Sequence, residues 1–201
     1  MNTLIIATKN KGKVKEVKEI LNDINIEIKS LVDYPEVQDI EEHGDTFEMN
    51  ALIKAREVFN TLGIPILSDD SGLEVYALGM KPGVYSARYA CEDVNSLKNN
   101  LKLLFELQSV PENQRHARFR CVTVFKTSDA EIISEGICEG RIISELKGEG
   151  GFGYDPLFIP DGYSQTFAEL PQDVKNIISH RGMALRKIKP IIRGHFQYLN
   201  N

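Results

Sequence analysis

Three lysines in six residues, Thr8-Lys9-Asn10-Lys11-Gly12-Lys13, follow directly on an apolar run, Leu4-Ile5-Ile6-Ala7. Val14, Val17, Leu21 and Ile24 then recur at helical spacing, which places the loop at the N-terminus of an amphipathic helix. Backbone N–H groups and the positive end of the helix dipole point there, so the loop suits an anion such as a small polyphosphate. The other reading is a solvated, lysine-rich turn. It is not a Walker A loop, which needs spaced glycines and a closing Gly-Lys-Ser/Thr, nor a dinucleotide fingerprint.

Carboxylates form the next set. Asp69 and Asp70 stand where the short apolar run Ile64-Pro65-Ile66-Leu67 is expected to run out into Ser71-Gly72. At that edge of an open α/β sheet, carboxylates can hold Mg2+ or orient a water. Asp-Asp-Ser-Gly is also good turn chemistry, and it lacks the Asp-x-Asp spacing of haloacid-type phosphatases. Glu41 and Glu42 precede a helix expected from Asp45, with Glu48 at capping-box spacing. They complement that helix dipole or, if the connection folds back on Asp69 and Asp70, share the metal. Lys54 lies beside the helix's apolar stripe, Phe47, Ala51, Ala55, Val58 and Leu62, where most lysines snorkel to water and a minority do more.

Two further segments could read a base. In Phe152-Gly153-Tyr154-Asp155, glycines allow close backbone approach, an aromatic ring can stack, and a carboxylate can accept from a base edge or ribose. A glycine-rich hairpin turn with a core aromatic is the alternative. Ser179-His180-Arg181 at an expected helix break offers two donors at one spot, with a structural histidine as the other reading.

The elements that must position these groups follow from periodicity. Ile26 to Leu31 alternates as a strand, and Leu73 to Leu78 continues as another. Ser96 is expected to cap a helix with Leu97, Leu101, Leu104 and Leu107 inside. Strand-like runs cover Phe119 to Phe125 and Ile132 to Ile143, with bulges or bends at Gly136 and Gly140. Helix is expected from Pro171 onward, interrupted around Ser179 to Gly182 and kinked or ended at Pro190. This order predicts an α/β fold with a mixed twisted sheet flanked by helices.

Length and composition narrow the class. A chain of 201 residues fits a single domain, 1–201, or two closely joined lobes. Its apolar runs are too short for a membrane span, and a secretory signal is not expected from so short an apolar segment before Lys9. Cys91, Cys121 and Cys138 form no CxxC pair, which disfavours a zinc site or disulfide framework and makes a reducing cytoplasm the default. The formal net charge of -5 argues against nucleic acid as a partner.

Taken in order, these motifs resemble the inosine triphosphate pyrophosphatase family, which hydrolyses non-standard purine nucleoside triphosphates. The resemblance runs nearly end to end. It takes in the Thr8 to Lys13 loop, Glu41-Glu42-His43-Gly44 with Thr46-Phe47, Asn50-Ala51 and Lys54-Ala55-Arg56, and Ser68 to Leu73. It continues through Pro82 to Tyr89, Gly150 to Pro156, Ala168-Glu169-Leu170, Lys175 and Ser179 to Gly182.

The resemblance implies that Thr8, Lys9, Asn10, Lys11, Gly12 and Lys13 hold the triphosphate. It implies Asp70 as general base and, with Glu41, as the Mg2+ site, with Ser71 and Lys54 touching substrate. Phe152, Gly153, Tyr154, Asp155, Lys175, His180 and Arg181 would bind the nucleoside. It further implies a homodimer and a substrate cleft between two lobes. The expected reaction gives nucleoside monophosphate and pyrophosphate, clearing ITP, dITP and XTP from the nucleotide pool. A triphosphate sensor without turnover is a rival that could dispense with Asp70; a nucleic-acid binder is another, disfavoured by the net acidity.

Overall fold

The computed structural model describes residues 2–91 and 95–198. Its strands are β1 (Thr3–Ile6), β2 (Glu27–Ser30), β3 (Ile66–Val75), β4 (Lys81–Pro82), β5 (His116–Lys126), β6 (Glu131–Ile142) and β7 (Phe158–Pro160). The helices are α1 (Lys11–Ile20), α2 (Phe47–Leu62), α3 (Ser96–Glu106), α4 (Gln172–Ile178) and α5 (His180–Tyr198). The sheet order is β2-β1-β3-β5-β6-β7, with β4 paired to β3. β1 is parallel to β2 and β3, while β4 on β3 and β7 on β6 are antiparallel, so the sheet is mixed as expected. Among the described residues, no helix is long and apolar enough to cross a membrane.

The chain divides into two compact units. The first comprises Met1–Asp70, Cys121–Gly136 and Arg181–Asn201; the second comprises Ser71–Arg120 and Ile137–His180. Each has its own apolar core. In the first unit, Leu4 and Ile6 of β1 and Leu67 of β3 pack with Val17 and Leu21 near α1 and Leu185, Ile188 and Ile192 of α5. In the second, Leu73 and Val75 pack with Leu103 and Leu107, Phe119, Tyr154, Phe158 and Phe167.

Several expectations are corrected. Ser68 to Gly72 is not a turn: β3 runs unbroken from Ile66 to Val75 and buries Asp69 and Asp70. Tertiary partners override the local turn preference, beginning with Ser68, whose hydroxyl donates to the Ala51 carbonyl at 2.6 Å. The strand ends at Val75, and Tyr76–Leu78 forms a short 3-10 turn instead of continuing it. Thr46, not Asp45, caps α2, its hydroxyl accepting from the Met49 amide at 3.1 Å. Asn95, not Ser96, caps α3.

The face of α3 also differs. Leu103 and Leu107 are buried, but Leu97 and Leu101 are exposed. The polar residues set the helix rotation: Asn99 donates to the Ser86 and Ala87 carbonyls, and Asn100 to the Gly153 carbonyl. Gly140 is no bulge against β7, since its register with Pro160 is regular. A β-carbon there would collide with the Ile159 carbonyl, so close backbone approach explains the glycine. Pro190 does not end α5, which continues through it to Tyr198.

Candidate active site

Consecutive strand residues point to opposite faces of a sheet, and on β3 this separates the two aspartates into different surroundings. Asp69 accepts from Lys13 of α1 at 3.0 Å and from Arg181 of α5, whose Nη2 and Nε lie at 3.1 and 3.3 Å. The same guanidinium reaches Glu16 of α1 with Nη1 at 2.6 Å. Asp70 instead faces α2. Its Oδ1 accepts from Lys54 at 3.3 Å and its Oδ2 from the Asn50 amide at 3.2 Å. Lys54 also lies 3.2 Å from Glu42.

These neighbours drive the two carboxyls apart. Burial pushes Asp69 up, but Lys13, Arg181 and Lys54 outweigh it and hold the group far below the usual carboxylate range. Asp70 moves the other way. Burial raises it, and repulsion from Glu42 and Asp69 adds to the burial against the attraction of Lys54 and Lys13. Lys54 stays firmly protonated: burial lowers its pKa, but Asp70, Glu42 and Asp69 more than compensate. A buried carboxyl shifted upward beside a fixed ammonium has the character of a general base.

The lysine loop lies in the same unit. Asn10 caps α1, its side-chain oxygen accepting from the Gly12 amide at 2.9 Å and the Lys13 amide at 3.1 Å. The expectation of open amides is therefore corrected for these two, which are satisfied within the loop. Thr8 accepts from the Asn10 amide, and Lys9 pairs with Asp39 at the surface. Lys11 is exposed. The acidic turn splits: Glu42 turns to Lys54, while Glu41 is exposed and lines a cavity of about 430 Å³ with His43, Ile53 and Glu57.

In the second unit, Asp155 accepts from Lys175 at 2.6 Å and from the Phe152 amide at 2.8 Å. The Lys175 ammonium lies 4.8 Å from the centre of the half-buried Phe152 ring, a cation–π contact. His180 stacks on Phe119 with centroids 4.7 Å apart. Tyr154 is a core residue whose hydroxyl donates to the Ser86 carbonyl, so of the two loop aromatics Phe152 is the half-exposed one. Gly153 is held by Asn100, and Ser71 is half-buried. The chain passes between units at four peptide bonds, of which Asp70–Ser71 and His180–Arg181 each join two of the predicted residues.

Sequence reasoning did not select Glu16, Asn50 or Asn100 as site residues. Glu16 adjoins Val17 in an ordinary charged helix pattern and gives no local signal. Asn50 belongs to a motif already singled out, and its burial on the helix stripe was the available clue.

Comparison with known proteins bears out the resemblance. The Ham1 family model matches residues 4–191. A protein of Desulforamulus reducens named dITP/XTP pyrophosphatase is 51% identical over 190 residues, covering 94% of each chain. The structure of a HAM1 protein from Coxiella burnetii superposes with a TM-score of 0.86 at 39% identity, covering 96% of this chain and 98% of that one. The Staphylococcus aureus Ham1 protein gives a TM-score of 0.85 at 36% identity, covering 96% of this chain and all of the other.

Proposed function

This chain belongs to the Ham1 family, and on that premise we propose that it is a nucleoside triphosphate pyrophosphatase acting on the non-standard purine nucleotides ITP, dITP and XTP. The observation that carries this reading is Asp70: a buried carboxyl with raised proton affinity, flanked by the fixed cation of Lys54. Water activated by Asp70 attacks the α-phosphorus, the α–β anhydride bond breaks, and pyrophosphate leaves as the nucleoside monophosphate forms. Asp70 takes the water proton, a contribution of roughly 10²–10⁴-fold. Lys13 and the rest of the Thr8 to Lys13 loop hold the phosphates and spread the leaving-group charge, the larger share of phosphoryl-transfer catalysis. No covalent nucleophile is required.

The donor set suits Mg2+. Four carboxylates, Glu16, Glu42, Asp69 and Asp70, face three cations, Lys13, Lys54 and Arg181, and all the anionic donors are hard oxygens. Among the described residues no three His, Cys, Asp or Glu side chains converge as a preformed cage, but Mg2+ commonly binds through one or two carboxylates plus substrate phosphates. Asp70 and the turn carrying Glu41 and Glu42 would hold it, where it would neutralise phosphate charge. In the second unit the 152–155 loop, Lys175 and His180 would bind the nucleoside, with the Phe152 ring as the stacking platform; Arg181 belongs to the first unit, where its guanidinium binds Glu16 and Asp69.

The exposed stripe Leu97, Leu101 and Phe105, at i, i+4 and i+8 on α3, supports association with a second copy of the chain. The buried thiols of Cys121 and Cys138 support a reducing cytoplasm as its compartment. Asp70→Asn tests the assignment. The change is nearly isosteric, so thermal stability should stay close to normal while turnover of ITP falls at least ~10²-fold. Wild-type turnover in this variant would remove Asp70 from the mechanism.

A further inference from the structure

We propose that Asn50 is a positioning residue that fixes both the general base and the acidic turn through the two ends of one side-chain amide. The inference rests on the assignment of Asp70 as base. Asn50 lies on α2 and is 1% exposed. Its Oδ1 accepts from the Gly44 amide at 2.8 Å, and its Nδ2 donates to Asp70 Oδ2 at 3.2 Å. The partners dictate the orientation of the amide, because an N–H can only donate and an ionised carboxylate can only accept.

Gly44 is shaped to this contact. A β-carbon there would stand 2.7 Å from both Asn50 Oδ1 and Met49 Cβ, so only glycine lets the backbone approach this closely. The chain from Gly44 back to Glu42 and Glu41 is thereby referenced to the same side chain that holds Asp70. With Lys54 on Oδ1 and Asn50 on Oδ2, both oxygens of the base have a donor from α2, leaving its carboxylate plane little freedom to turn. The nearest replacements fail at one end or both. Aspartate keeps the acceptor for Gly44 but sets a second carboxylate against Asp70. Alanine offers neither group, and glutamine is one carbon too long for a buried site.

The test is a double-mutant cycle with Asn50→Ala, Asn50→Asp and Asp70→Asn, using the full chain, ITP and Mg2+. Asn50→Ala should lower kcat about 10–100-fold, the range for losing a hydrogen bond to a charged group, with KM changed less than about threefold. In the Asp70→Asn background the same change should cost less than about threefold, because the group that Asn50 orients no longer acts as a base. Titration calorimetry with Mg2+ alone should also show weaker binding for Asn50→Ala. Asn50→Asp covers the case in which the alanine variant fails to fold: it is isosteric, retains the Gly44 contact, and should still lose at least about tenfold in kcat. Unchanged kcat in either folded variant, or an equal loss in both backgrounds, would overturn the proposal. Full activity of Asp70→Asn alone would instead overturn the base assignment, so the two failures are distinguishable.

Discussion

Asp69 and Asp70 are neighbours on one strand but form their direct ion pairs with different cations. Asp69 is held by Lys13 and Arg181, and Asp70 by Lys54. The first carboxylate organises charge, and the second is left with the raised proton affinity that suits a base. This division follows from the alternation of a strand, and a turn at the same sequence would not have produced it.

Arg181 is expected to be needed for stability as well as function. Its guanidinium is 2% exposed and binds both Glu16 and Asp69, so Arg181→Ala leaves two buried carboxylates without it. Removing one partner of a buried ion pair costs roughly 3–5 kcal/mol. Urea unfolding of the variant should show a midpoint lowered accordingly; an unchanged midpoint would contradict the burial of this network.

Lys13 pairs with Asp69 at the start of α1. Lys13→Ala should weaken triphosphate binding more than monophosphate binding, because the proposed contact is to the leaving group. Calorimetry with a non-hydrolysable triphosphate and with the monophosphate at several salt concentrations checks this, and the difference should shrink as salt screens the loop. Equal losses for both ligands would place Lys13 elsewhere.

The pH dependence has a defined sign. The proposed base, Asp70, works deprotonated, and its pKa is raised above its ordinary 3.8, first by burial and then by Glu42 and Asp69. The acid limb of kcat/KM should therefore lie above that of an ordinary aspartate. Stability responds to the two aspartates oppositely. Asp69, depressed in the folded state, stabilises above 3.8 and loses that contribution as pH falls toward its folded value. Asp70, raised, favours the folded state when protonated and loses that contribution as pH rises through its folded value. A pH–rate profile with its acid limb at or below 3.8 would contradict the account.

Selectivity should follow the group at purine C6. Inosine and xanthosine carry a keto oxygen there and adenosine an amino donor, so donors aimed at that position leave buried groups unpaired with ATP. Such a mismatch discriminates by up to ~10⁴-fold. ITP and XTP should lead ATP by a wide margin, with GTP intermediate or poor. Since every guanidinium nitrogen of Arg181 contacts Glu16 or Asp69, His180, stacked on Phe119, is the cleaner probe. His180→Ala should narrow the ITP–ATP ratio in kcat/KM. Comparable values for the two nucleotides in the wild type would refute base reading at C6.

Much of this was legible in the sequence, for identifiable reasons. The α1 stripe of Val17 and Leu21 and the α2 stripe of Phe47, Ala51, Ala55 and Val58 are buried as their periodicity requires. Residues with strong turn chemistry misled where tertiary contacts prevailed. Ser68 to Gly72 has turn composition but forms a strand, because a serine hydroxyl bond to α2 and cations on both aspartates engage its polar side chains. On α3 the leucine spacing holds for Leu104 and Leu107, which join the core, and fails for Leu97 and Leu101, since Asn99 and Asn100 bind backbone carbonyls and turn that stretch outward. The Glu16–Arg181 pair spans 165 residues, and no local pattern encodes such a contact.

The most direct measurement is to incubate the purified protein with ITP and Mg2+ and resolve the phosphorus-containing products. Inosine monophosphate and pyrophosphate in equal amounts are predicted, from attack at the α-phosphorus. Orthophosphate together with inosine diphosphate would contradict the account.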